Sequence, residues 1–133
     1  MKEEEAMANK TILIVDDDQD LVDVLTTVLE SAGYRVESAA DRSEGWSKAQ
    51  QSPPDLAVID VMMGSDVAGF QLTGDFRRDE KLKKVPIIML TAINQKLPYG
   101  FSPDKDEEFI PVDRFLEKPV DPETLLKEVA ALL

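Results

Sequence analysis

Five short runs of mostly apolar residues punctuate the chain: Thr11 to Val15, Tyr34 to Ala39, Leu56 to Asp60, Pro86 to Leu90 and Arg114 to Leu116. They are continuous and not alternating in polarity, the pattern of strands covered on both faces. The second run is the least apolar and suits a sheet edge.

Between the runs the period changes to that of a helix. Leu21, Val24, Leu25, Val28, Leu29 and Ala32 predict a first amphipathic helix, with Gly33 as its left-handed cap. Asp41 and Glu44 form a capping-box variant that opens a second helix, and Pro53 and Pro54 must stop it. Trp46 on that helix reads as a core-facing aromatic. A third helix is expected from about Val67 to Asp79, although Gly74 inside it costs roughly 1 kcal/mol relative to alanine. Asp121-Pro122-Glu123 supplies an N-cap, a first-turn proline and a first-turn acid for a last helix, whose stripe is Leu125, Leu126, Val129, Leu132 and Leu133. Strand and helix in alternation predict an α/β fold built on a doubly wound parallel sheet.

At 133 residues and 43% apolar content the chain is one domain, expected over residues 10–133 behind a flexible acidic tail at 1–9. No cysteine and no histidine is present, which removes thiolate chemistry, the commonest zinc ligand and the commonest general base. Fifteen basic residues against 27 acidic ones leave a formal charge of -12, which disfavours direct binding to nucleic acid or to an anionic membrane. No run reaches membrane-spanning length and the first residues carry no apolar signal region, so a cytoplasmic, soluble protein is expected.

In such sheets ligands bind beyond the carboxyl ends of the strands. The residues there are Asp16, Asp17 and Asp18 after the first strand, Asp60 at the third, Thr91 after the fourth, and Lys118-Pro119 after the fifth. Two carboxylates at about 4 Å repel by up to ~4 kcal/mol at an effective dielectric near 20. A hard divalent cation such as magnesium would offset that and favour an incoming phosphoryl group. A hydroxyl on Thr91 and the charge of Lys118 suit the phosphoryl oxygens. Asp18 reads as a helix N-cap or a solvated turn acid.

VDDD at 15–18, VIDVMM around Asp60, MLTA at 89–92 and FLEKP at 115–119, in this order and spacing, resemble the receiver domain of two-component response regulators (CheY-like). The resemblance covers nearly the whole chain from Lys10. It implies a flavodoxin-like five-stranded sheet of order 2-1-3-4-5, with Asp60 as phosphoacceptor. It implies magnesium (or manganese) held by Asp16, Asp17, Asp60 and the backbone carbonyl of Met62, with Thr91 and Lys118 binding the phosphoryl oxygens. It also implies Thr91 and Phe115 as a switch pair, and a Lys118-Pro119 bond that is commonly cis in the family. For Phe115 an ordinary core position weighs equally. The implied partners are a sensor histidine kinase or phosphotransfer protein, and a downstream protein target that the residues do not name. Phosphotransfer on the chain itself, not enzymatic turnover, would be its chemistry.

The chain departs from the family pattern twice. Gly64 stands where a proline is usual, and "SDVAG" adds about one residue before Phe70, so a looser loop is expected beside Asp60. Pro98, Gly100, Pro103 and Pro111 interrupt residues 92–113, so the family's fourth helix, between strands four and five, is expected to be missing or reduced, replaced by an ordered irregular loop. This departure keeps open a docking module on the same fold that needs no phosphorylation. A small haloacid-dehalogenase-type phosphatase is a further alternative, because Asp16-Asp17-Asp18 also satisfies a strand followed by Asp-x-Asp; Asp20 and the short chain speak against it.

Overall fold

The apolar runs form the five strands of one parallel sheet in a computed structural model that describes residues 10–61, 68–92 and 112–133. The strands are β1 (Thr11–Val15), β2 (Arg35–Ala39), β3 (Leu56–Asp60), β4 (Ile87–Ala92) and β5 (Arg114–Lys118). Their order is β2-β1-β3-β4-β5, the flavodoxin-like arrangement the sequence implied. Between and after them stand α1 (Gln19–Ser31), α2 (Arg42–Gln51), α3 (Ala68–Arg77) and the C-terminal helix α4 (Pro122–Leu132). The acidic tail, the loop carrying Gly64, the start of helix three at Val67 and the expected loss of a helix within 92–113 lie outside the described residues or run into them.

The strand period of two divides the core. Ile12, Ile14, Leu56, Val58, Ile88 and Leu90 face α1 and α4, while Leu13, Val15, Ala57, Ile59 and Ile87 face α2 and α3. Every residue of β3 is buried, as a central strand covered on both sides requires. β2 alternates exposed and half-buried positions before Ala39, which fits the expected edge.

Helix ends follow the local chemistry. The side chain of Asp18 accepts from the Leu21 N–H at the start of α1, Asp41 from Glu44 N–H, and Asp121 from Thr124 N–H. Glu44 reaches back to the Ala40 N–H at 2.7 Å, one residue before the cap. Gly33 has φ 99° and closes α1 in the left-handed region. α3 is shorter than expected, ending at Arg77 before a run of turns.

One expectation needs correcting. Val24 is 54% exposed, and Val22 takes its place beside Leu25 and Leu29 on the buried face of α1. Residues 21 to 25 offer two overlapping apolar stripes, and docking on the sheet selects the one that includes Val22. Trp46 behaves as expected: it is half-buried against the core, with its ring 6.5 Å from that of Phe76 and tilted by 60°.

At the amino end of the sheet two aspartates act alike. Asp55 Oδ2 accepts from Thr11 N–H at 2.8 Å, while Asp55 N–H donates to Thr11 O at 2.8 Å. Asp113 Oδ2 accepts from Ile87 N–H at 2.8 Å, and Asp113 N–H donates to Ile87 O at 2.9 Å. Each two-bond clamp sets the register between one strand and its neighbour just before pairing begins. Arg77 adds an ion pair to Asp113 at 3.0 Å, tying the end of α3 to the same point.

Candidate functional site

β1 and β3 are adjacent and parallel, with Val15 paired to Ile59, so Asp16 and Asp60 leave the sheet side by side. Ligand oxygens of Asp16, Asp17 and Asp60 all lie within 4.8 Å of one another. β5 lies on the far side of β4, yet its last residue reaches back: Lys118 Nζ is 3.1 Å from Asp16 Oδ2 and 3.5 Å from Asp60 Oδ1. The Lys118-Pro119 peptide bond is cis, as the resemblance implied. Four of the expected site residues thus converge at one rim, and the carboxylate of Asp60 points to that rim and not into the core.

Burial makes this cluster electrostatically expensive. The Asp16 side chain is fully buried and that of Asp60 is 7% exposed. Loss of solvent, followed by the charge of Asp16, pushes Asp60 up to about 6, against the pull of Lys118. For Lys118 burial works against the charge, but the carboxylates of Asp16 and Asp60 outweigh it and raise the ammonium. Lys118 divides its charge between Asp16 and Asp60. Asp16 Oδ1 accepts from Asp18 N–H at 2.9 Å, whereas Asp16 Oδ2 is buried with no hydrogen bond of acceptable geometry despite the nearby Lys118. A buried oxygen without a hydrogen bond, next to two more carboxylates, fits a hard divalent cation that takes oxygen ligands.

Thr91 is buried and lies within β4, not after it, one residue beyond Leu90, the partner of Asp60. Lys118 likewise ends β5 and does not follow it. Phe115 pairs with Met89 and is half-buried in a small cluster with Val61, Met89, Phe70 and Val112. Met62 lies outside the described residues.

Sequence reasoning missed Gly69. A Cβ built there would stand 1.5 Å from the carbonyl oxygen of Asp60, and the next residue, Phe70, donates its N–H to Val61 O at 3.2 Å. The first turn of α3 therefore rests directly on the backbone of the strand end that carries Asp60. Only a residue without a side chain permits that approach. An Ala-Gly pair opening a helix gave no signal of it. A surface depression of about 550 Å³ lies elsewhere, lined by Arg42, Ser43, Trp46 and Asp75 and by none of the clustered acids. Its charges are already engaged, since the Arg42 guanidinium bonds Asp75 at 2.9 and 3.0 Å.

A doubly wound parallel sheet with buried acids and a lysine at the carboxyl ends of its strands is the arrangement that the resemblance to receiver domains implied. The chain belongs to the response regulator receiver domain family of two-component signal transduction, whose family model matches residues 12–130. It is 34% identical to protein PilH of Pseudomonas aeruginosa, covering 92% of this chain and 96% of PilH. It is 41% identical to the DNA-binding dual master transcriptional regulator RpaA of Synechocystis over 92% of this chain and 48% of RpaA. The chain thus spans about half the length of curated relatives such as RpaA, and nearly all of PilH. The solved structure of the chemotaxis response regulator CheY4 of Vibrio cholerae superposes with a TM-score of 0.78 at 33% identity, covering 93% of this chain and 98% of CheY4. Among the described residues no helix is long and apolar enough to cross a membrane.

Proposed function

We propose that the domain accepts a phosphoryl group from a phosphohistidine of a partner kinase or phosphotransfer protein onto Asp60. The observation that carries this reading is the grouping of Asp60 with Asp16, Asp17 and Lys118. An Asp60 carboxylate oxygen attacks phosphorus in line, the new P–O bond forms as the P–N bond to the donor breaks, and the donor imidazole, already protonated on its other ring nitrogen, leaves neutral. With Asp60 raised to about 6, its carboxylate is mostly ionised and nucleophilic at neutral pH. Lys118 offers its ammonium to a phosphoryl oxygen, and the Thr91 hydroxyl serves a second one. Asp16, Asp17 and Asp60, with the Met62 carbonyl, would hold magnesium or manganese, which supplies neutralisation of the acids and of the phosphoryl charge when bound.

Phosphorylation places about 1.5 to 2 negative charges on the new group, and because the Asp60 carboxylate gives up its own charge in forming the acyl phosphate, the net gain at this buried point is about one. Reversing a two-state population from mostly inactive to mostly active takes about 5.5 kcal/mol of preference. Thr91, Lys118 and Phe115 are where that preference would arise, with Phe115 acting through packing because it lacks a hydroxyl. The match to the receiver family over residues 12–130 favours this reading over the dehalogenase-type phosphatase. A cytoplasmic setting, a protein target and no direct contact with nucleic acid complete the proposal.

Intact-mass analysis after incubation with acetyl phosphate and magnesium tests it. One phosphoryl mass should appear in the wild type and be absent from Asp60→Asn and from wild type in chelator. No adduct overturns the reading and leaves the phosphorylation-independent docking module in its place, whereas an adduct retained in Asp60→Asn overturns Asp60 as the acceptor.

A further inference from the structure

Among the described residues three helices begin with an aspartate N-cap, and the one that opens α1 has a second connection. Asp18 Oδ1 accepts from Leu21 N–H at 3.2 Å and Asp18 O accepts from Val22 N–H at 3.0 Å, which fix the first turn of α1. The backbone N–H of the same residue donates to Asp16 Oδ1 at 2.9 Å. Asp16 is wholly enclosed, and this is the hydrogen bond that orients its carboxylate. Gripping Oδ1 leaves Oδ2 aimed in one direction, toward Lys118, with no hydrogen bond of its own.

We infer that Asp18 is a positioning residue: its cap locks the start of α1, and the locked N–H presents Asp16 Oδ2 to the cation site. The inference rests on reading the Asp16, Asp17 and Asp60 cluster as that site. It also gives the third aspartate of the triplet a task distinct from ligation. The Asp18 side chain is exposed, and what the geometry uses is its acceptor oxygen, which asparagine and serine also provide. Outer-shell partners of this kind tune affinity by holding a ligand in its productive orientation.

Calorimetric titration with magnesium chloride of the wild type, Asp18→Ala, Asp18→Asn, Asp18→Ser and Asp41→Ala tests the idea. Asp41 caps α2 through the Glu44 N–H at 2.8 Å and bonds none of the clustered acids, so it reports the effect of losing a cap alone. Asp18→Ala should raise the magnesium Kd about five-fold, the equilibrium equivalent of a typical lost cap. Asp18→Asn and Asp18→Ser should bind like wild type, while Asp41→Ala should lower Tm but leave Kd in place. Wild-type affinity in Asp18→Ala overturns the inference. So does equal weakening in all three Asp18 variants, which would assign the effect to charge, or equal weakening in Asp41→Ala, which would assign it to general loosening. A wild type that binds no magnesium would instead overturn the reading of the site itself. All the substituted side chains are exposed, and circular dichroism of each variant confirms folding before titration.

Discussion

Replacing Asp60 by asparagine should stabilise the metal-free protein, and more so at neutral than at acidic pH. Burial and the charge of Asp16 raise Asp60 from 3.8 to about 6 in the folded chain. A carboxyl raised in this way favours folding below the unfolded value of 3.8, and that contribution is lost as pH rises through about 6. The gap between the two values makes ionised Asp60 cost the fold up to about 3 kcal/mol near neutral pH. Between about pH 5 and about pH 7.5 the cost grows by roughly 1.4 kcal/mol. With the side chain only 7% exposed, solvent screening removes little of this. Asparagine has the same shape and does not titrate, so the stability difference between mutant and wild type should widen by that amount. Urea unfolding in chelator at the two pH values, followed by the fluorescence of the single tryptophan Trp46, measures it. Magnesium should narrow the difference at neutral pH by favouring the ionised carboxylate. A difference that stays flat or shrinks as pH rises refutes the account of a buried, under-compensated acid.

Gly69→Ala should lose about 1 to 3 kcal/mol or more of stability, because its Cβ meets the Asp60 carbonyl and the strand end must shift. Urea unfolding reads the loss and the rate of adduct formation with acetyl phosphate should fall with it; a wild-type profile on both would disprove the close approach. Gly74→Ala on the same helix meets only the mobile end of Arg78 at 3.2 Å, so it should gain up to about 1 kcal/mol, seen as a higher Tm. Asp113→Ala leaves the Ile87 N–H without its acceptor and should cost about 1 to 3 kcal/mol by chemical unfolding, whereas Asp113→Asn, which keeps an acceptor, should cost less. Equal losses in the two would show that charge pairing with Arg77 dominates.

The features legible in the sequence are those with local causes. A strand buried on both faces has to be apolar throughout, so β1 and β3 were readable with their bounds. Asp18, Asp41 and Asp121 announce helix starts because short acceptors satisfy first-turn N–H groups whatever the tertiary context. The convergence of Asp16, Asp17, Asp60 and Lys118 followed from placing strand ends at one rim. What escaped depends on packing between distant segments. Leu21-Val22-Asp23-Val24-Leu25 allows two buried faces, and the sheet decides between them. The need for glycine at position 69 exists only because α3 descends onto Asp60, and nothing near Ala68 encodes that. Asp55 and Asp113 look like ordinary turn acids until their partners Thr11 and Ile87, far away in sequence, come alongside. Thr91 and Lys118 lie inside their strands because β4 and β5 stay paired as far as Ala92 and Lys118.

The Asp113 clamp separates two concerns in the chain. β5 acquires its alignment with β4 at its own threshold, through bonds to Ile87 and Arg77, and Lys118 sits five residues downstream of that anchor. The bonds at Asp113 thus fix where β5 begins along β4, and with it the position of the lysine. A change in the stretch entering Asp113 therefore meets the alignment of β5 at Asp113 before it can reach the lysine, five residues further on.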